Sequence, residues 1–390
     1  MNNSFDFDHT LDHRYDHSYR WVQPEGRDDI IGMGTADMDY YCASVIKEAL
    51  EKVVSENTYN YRMKTDRYYE NLIAFYRDWF HFEISKDWLF NIPGTLAAIR
   101  MLFGAFSQPG DYIITQSPYF DVFDMIITGC GRRMLLNPMK LVNGRYELDF
   151  DDFEEKIKAY HPSLFLLVNP QNPTGRVFTK EELSRLADIC DQNNVLIVSD
   201  EVHGFVTYDG HKHIPILEAS ETAAEISFLV VSFSKGFNIM SLPHAITIVK
   251  NKALQARWIQ NAFPYDFQYA SNSFAIAAVT AATSAEGQEW LRAVNQYLKC
   301  NRDYFVDQLR TGPLSINPIT PEGGFVLWAD CREMSVAPEQ IDKIFFDQAG
   351  IALNNGLEHG PDGKGFIRVN FALTRANLRQ AVYRIGNMKV

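Results

Sequence analysis

The sequence predicts an α/β chain: a large domain built on a mostly parallel, helix-covered sheet, joined to a smaller α+β domain. From about residue 90, short apolar runs alternate with helical ones, the mark of repeated β-α-β units. After about residue 285 that alternation gives way to one long amphipathic helix followed by separated strand-like runs. A third observation concerns chemistry: polar residues able to act on a ligand arrive just where the apolar runs stop.

The elements follow in order. "GTLAAIRMLFGAFSQPGD" reads as a helix halted at Pro109-Gly110, and "YIITQ" as the strand after it. "DFEEKIKAY" is a helix starting near Asp151, and "LFLLV" (164–168) a strand apolar enough to be buried on both faces. "TKEELSRLADICDQNN" opens with a capping box, Thr179 with Glu182 three residues on. "VLIVSDE", "SFLVVS" and "AITIVK" (245–250) supply further strands. In the last quarter, "GQEWLRAVNQYLKCNRDYFVDQLR" is helical, while "GGFVLWADC" and "GKGFIRVNFA" read as strands of the smaller domain.

Composition narrows the class of function. With 46% hydrophobic and 22% charged residues in 390, the chain is ordinary for a soluble globular protein. A formal charge of −12 argues against nucleic acid or an anionic membrane as the main partner. Five scattered cysteines (Cys42, Cys130, Cys190, Cys300, Cys331) without a CxxC point to a reducing compartment and no cysteine metal site. The polar start "MNNSFDFDHTLDHRYDHSYRW" is neither a signal peptide nor an anchor, so the expected location is the cytoplasm. His9, His13 and His17 fall four apart, as ligands on one helical face would, but a solvated arm is the better reading.

Four features sit at strand ends. "NPQNPTG" follows "LFLLV" and carries Asn169 and Asn172 on a sharp turn. Asp200 follows "VLIVS", and Ser232, Ser234 and Lys235 follow "FLVV". Gly94, Thr95 and Leu96 begin a helix, where free amides form an anion site. Singly these are a cap, a turn, a surface charge and a glycine. A parallel sheet, however, brings its strand ends to one edge, within reach of one small ligand. Pyridoxal phosphate would use them all: an aldehyde for a lysine amine, a pyridine nitrogen for a carboxylate, a phenolic oxygen for a donor, and a phosphate for amides and hydroxyls.

"NPQNPTG", "SDEVH" and "SFSKGFN" resemble the fold-type I pyridoxal-phosphate enzymes of the class I/II aminotransferase superfamily. "ADMDY" (36–40), "YNYR" (59–62), "GHKHIP" (210–215) and "GFIRVN" (365–370) are similar to its cystathionine β-lyase-like C–S lyase branch. The resemblance implies a seven-stranded type of sheet. It also implies an arm and part of the small domain in residues 1–48, a large cofactor domain in 49–285 and a small domain in 286–390.

The resemblance further implies roles. Lys235 would anchor the cofactor covalently and then transfer protons, Asp200 would pair with the ring nitrogen, and Asn172 would contact the phenolic oxygen. Gly94, Thr95, Leu96, Ser232 and Ser234 would hold the phosphate. Tyr61 would reach the phosphate of a neighbouring subunit, making the protein a homodimer with shared sites. Arg368 would clamp the carboxylate of an amino-acid substrate. Phe120 stands where the family has a stacking ring, often tyrosine, leaving Tyr119 as the source of a hydroxyl near the substrate. Pro243 and His244 stand where many relatives have a further basic phosphate contact, as the C–S lyase branch often lacks it. Asp37 has no assigned role, and His203 reads as structural, though it lies close enough in sequence to Asp200 to support it by a hydrogen bond. His211 and His213 read as structural. The activity so implied is β-elimination from cystathionine or a related cysteine S-conjugate. The alternatives are an aminotransferase and a regulatory cofactor-binding protein with little turnover.

Overall fold

The structure is a computed structural model and describes residues 5–11, 18–21, 27, 29–262 and 272–389. Seven strands form the large sheet: β1 (Leu89–Ile92), β2 (Tyr112–Ser117), β3 (Arg133–Pro138), β4 (Leu164–Val168), β5 (Leu196–Asp200), β6 (Ser227–Val231) and β7 (Ala245–Ile248). Their spatial order is β1-β7-β6-β5-β4-β2-β3. Strand β7 runs antiparallel to both neighbours, and the other six share one direction. After β6 the chain turns and comes straight back as β7 without a crossover, which an antiparallel pair permits. That return keeps the lysine-bearing turn at the sheet edge.

The central strands read as unbroken apolar runs because both faces are covered. Along β4, Leu164 and Leu166 face one core with Ile99, Leu102 and Phe103 of helix α1 (Thr95–Phe106), while Phe165 and Leu167 face the other. The expected capping box is present: Thr179 accepts the Glu182 amide, and Glu182 returns a bond to the Thr179 amide at the start of helix α2 (Lys180–Gln192). Two strands escaped the sequence reading. β1 has only four residues, and β3, at the sheet edge, opens on an exposed arginine, so neither makes a long apolar run.

The smaller sheet holds β8 (Asn317–Ile319), β9 (Val326–Asp330), β10 (Asn354–Asn355) and β11 (Phe366–Asn370), in the antiparallel order β8-β9-β11-β10. A 27-residue helix, Ala285–Thr311, leads into it. The amino-terminal segment joins this half of the molecule: Ile31 and Gly32 pair in parallel with Ile351 and Ala352. No helix among the described residues is long and apolar enough to cross a membrane.

Candidate active site

Six strands with one direction put six carboxyl ends along one edge, and the chemistry-bearing residues leave from there. Asp200 is the last residue of β5. The turn Asn169–Gly175 follows β4, and Lys235 sits in a short helix, Ser234–Phe237, entered from β6. Gly94 follows β1 and caps α1 with φ 156°, and no side chain bonds the cap. The amides of the first turn have no acceptor within the helix, so Thr95 and Leu96 present donors and the positive end of the dipole.

Burial governs the electrostatics. The Lys235 amine donates to the Ala36 carbonyl at 2.5 Å. Loss of solvent pulls its pKa down to about 8; the Asp37 and Asp200 carboxylates oppose that pull and the Arg368 cation adds to it. Asp200 is driven the other way, up to about 7, by burial, although its Oδ1 accepts the Val202 amide at 3.2 Å. A buried carboxylate with no cation bonded to it is well matched to a protonated ring nitrogen.

Arg368 lies on β11 and is only 4% exposed. Its Nη2 donates to the Gly34 carbonyl at 3.1 Å and to Asn354 Oδ1 at 2.8 Å, and Nη1 to Asn172 Oδ1 at 3.3 Å. Nε is buried without a partner, so a guanidinium with five donors retains capacity for a carboxylate. Asn172 thereby touches the arginine from the turn after β4, joining two expected site residues directly.

Other expectations fare differently. Ser232 gives its proton to the His244 carbonyl at 2.6 Å and accepts the Ser234 amide at 3.2 Å, so it shapes the turn itself. Phe120 is half-buried and meets Phe123 edge-on, with ring centres 5.4 Å apart. Tyr119 is buried: its backbone is tied to His359 on both sides and its ring lies against Gly360. Tyr61 is 92% exposed in the single chain.

His203 makes no hydrogen bond to Asp200, which leaves the structural reading. Its ring lies edge-on to Phe325, burial holds it neutral with a pKa near 3, and its Nδ1 is buried without a partner. His213 is structural as expected, bonding Glu201 at 2.7 Å. His244 is buried, bonded to the Tyr68 hydroxyl at 2.7 Å, and held neutral by burial and by the nearby Lys64 cation. Of the three amino-terminal histidines, His9 stacks on Tyr41, while His13 and His17 lie outside the described residues. Among the described residues no group of histidine, cysteine and acid side chains could hold a metal ion.

Several residues of the site had no role assigned from the sequence. Arg20, itself buried, donates from Nε to the Gly32 carbonyl at 2.7 Å and pairs with Asp37 at 2.9 Å. Asn370 donates to the Thr35 and Asp37 carbonyls, both at 2.7 Å. Asn238 ends the lysine helix in the left-handed region, φ 56°, and binds the Met38 amide and the Met38 and Tyr40 carbonyls. These three side chains pin residues 36–40 beside Lys235, which answers what Asp37 is for: it is the carboxylate acting most strongly on that amine.

The profile of the aminotransferase class I and II family matches residues 28–385. The chain belongs to that family. It is similar to cystathionine beta-lyase PatB of Bacillus subtilis (strain 168), 28% identical over 360 residues that cover 92% of each chain. A pyridoxal-phosphate-bound protein of Clostridium difficile 630 superposes with a TM-score of 0.94 at 30% identity, covering 99% of this chain and 100% of that one. The pyridoxal-phosphate-bound C-S lyase of Staphylococcus hominis gives 0.90 at 27% identity, covering 99% and 98%. For this member of the family, the residues along the strand edge fit the cofactor: an amine of lowered basicity, a buried acid without a bonded cation and a helix start, with an arginine of the smaller sheet facing them.

Proposed function

We propose that this protein is a pyridoxal-phosphate-dependent C–S β-lyase. It would cleave cystathionine or a related cysteine S-conjugate to a thiol, pyruvate and ammonia. The observation that carries the reading is the meeting of Lys235 and Asp200, at the strand edge of the large sheet, with Arg368 of the smaller sheet, near enough that both charges act on the Lys235 amine. The named relatives with the same chain architecture add the choice of lyase.

When bound, pyridoxal phosphate supplies a carbonyl that joins an amine and a cationic ring that draws electrons from the substrate α-carbon. Lys235 would hold that carbonyl covalently, and its free amine would be the base that accepts the substrate α-proton. Asp200 keeps the ring nitrogen protonated, and Asn172 meets the phenolic oxygen. The amides of Gly94, Thr95 and Leu96, with the Ser234 hydroxyl, would receive the phosphate, and Ser232 would hold the turn that presents Ser234. Phe120 would stack on the cofactor ring, and Tyr119 would supply a hydroxyl on the substrate side. Arg368 fixes the substrate carboxylate, which sets the α-hydrogen toward Lys235. Tyr61 of a second copy would complete the phosphate site in a homodimer.

Transamination is the second reading, favoured by the family itself. Incubating the loaded protein with L-cystathionine, and separately with L-alanine plus a 2-oxo acid, decides between them. Thiol and pyruvate released without an acceptor support the lyase. Conversion of the cofactor to its amine form with no thiol overturns it. Lys235→Ala should abolish both turnover and the absorbance of covalently held cofactor.

A further inference from the structure

The carboxylate clamp works only if its fork is held at a fixed angle, and the neighbours of Arg368 show what holds it. Asn354 and Arg368 are direct partners across the β10–β11 pair, so their side chains leave the same face of the sheet. Asn354 Oδ1 accepts from Arg368 Nη2 at 2.8 Å. On its other side, Asn354 Nδ2 donates to Glu358 Oε2, also at 2.8 Å. Glu358 is in turn fixed by the Asn355 amide, bonded to Oε1 at 3.2 Å in a second capping box.

A carboxylate only accepts and a guanidinium only donates, so an amide between them has one allowed orientation. Its NH₂ must face Glu358 and its oxygen must face Arg368. The Gly34 carbonyl, 3.1 Å from the same Nη2, completes a two-point grip on one nitrogen. Nε, buried without a partner, is the donor left for a ligand, while Nη1 is held by Asn172 at 3.3 Å.

We propose that Asn354, oriented by Glu358, is a positioning residue that sets the angle of the Arg368 fork toward the substrate carboxylate. The inference rests on the reading of Arg368 as that clamp. Asn354 touches neither the cofactor nor the reacting carbon; it acts through the arginine. Its effect therefore belongs to carboxylate binding and not to the proton transfer at Lys235.

The test uses the pyridoxal-phosphate-loaded protein, L-cystathionine as substrate, and propionate as a carboxylate without an amine. Asn354→Ala should raise KM and the propionate inhibition constant together by about tenfold, the scale of one charge-assisted hydrogen bond. The kcat should stay within about twofold, and the absorbance of the bound cofactor should be unchanged. Asn354→Asp should raise both constants further, because the new carboxylate occupies Arg368 in competition with the ligand. Glu358→Gln should give a smaller rise, since its amide no longer dictates which way Asn354 turns. Arg368→Ala separates the two layers of the argument. If it leaves KM and propionate inhibition unaltered, the clamp reading fails. If it raises both while the Asn354 variants bind as the native protein does, the positioning role is wrong. A fall in kcat with KM unchanged in Asn354→Ala would also overturn it.

Discussion

Asp200 and Lys235 show how burial prepares two ordinary side chains for one ligand, and both make testable claims about the cofactor-free protein. Asp200 keeps its proton to about pH 7 in the folded chain, against an ordinary value of 3.8. Between those values the folded state binds the extra proton, so stability falls as pH rises through the window. Asp200→Asn should therefore stabilise the cofactor-free protein at pH 7 by on the order of 2 kcal/mol, with no gain below pH 4. In the loaded protein the same variant should lose most of its turnover; urea unfolding and lyase assays check the two halves. Lys235, at about 8, should be half-labelled by an amine reagent near that pH, read peptide by peptide by mass spectrometry. Asp37→Asn should move that midpoint down, since Asp37 favours the charged amine. An unchanged midpoint would remove Asp37 from the electrostatics of the site.

Among the elements, caps with equal geometry serve different ends. Thr179 closes the start of α2 through the Glu182 amide and touches no expected site residue, so Thr179→Ala should cost about 1 kcal/mol of stability and leave kcat and KM as they were. Asn238 also closes a helix, at its far end, but its side chain makes three bonds to residues 38–40. Asn238→Ala should destabilise more than Thr179→Ala, and it should lower turnover as well, because the segment it releases carries the Ala36 carbonyl and Asp37. Chemical denaturation followed by steady-state kinetics distinguishes a cap that only stabilises from one that also builds the site.

For the whole molecule, the salient contact joins the turn after β4 to the segment before β9. Arg176 pairs with both Glu182 and Glu322, and Glu322 also accepts the Val177 amide. This network sets the Asn172 turn against the half of the molecule that carries Arg368. The proposed division is an arm with part of the small domain (1–48), a large domain (49–285) and a small domain (286–390); Ile31–Gly32 pair with Ile351–Ala352 of the carboxyl-terminal half. The proposed sharing of sites between two copies has a direct check. Lys235→Ala and Tyr61→Ala homodimers, each inactive or impaired, should regain activity when dissociated and reassembled together, since one of the two mixed sites is intact. No recovery would mean that Tyr61 serves its own chain or none.

Much of this was legible from residues in order. Apolar runs announced β4, β5 and β6, because a strand buried on both faces needs no partner to be recognised. The residues ending those runs announced the chemistry, because a parallel sheet leaves its carboxyl ends on one edge whatever the loops do. What stayed hidden depends on segments far apart in sequence meeting at specific angles. The Lys235–Ala36 contact spans 199 positions, and Arg368 reaches Gly34 across 334. Local pattern likewise could not say whether Phe120 or Tyr119 stays open, or that His203 turns to Phe325 instead of Asp200. The sequence by itself determined which groups stand along the strand edge. Only the tertiary structure decided how they are charged and aimed, because burial and side-chain direction are set by whatever packs against them.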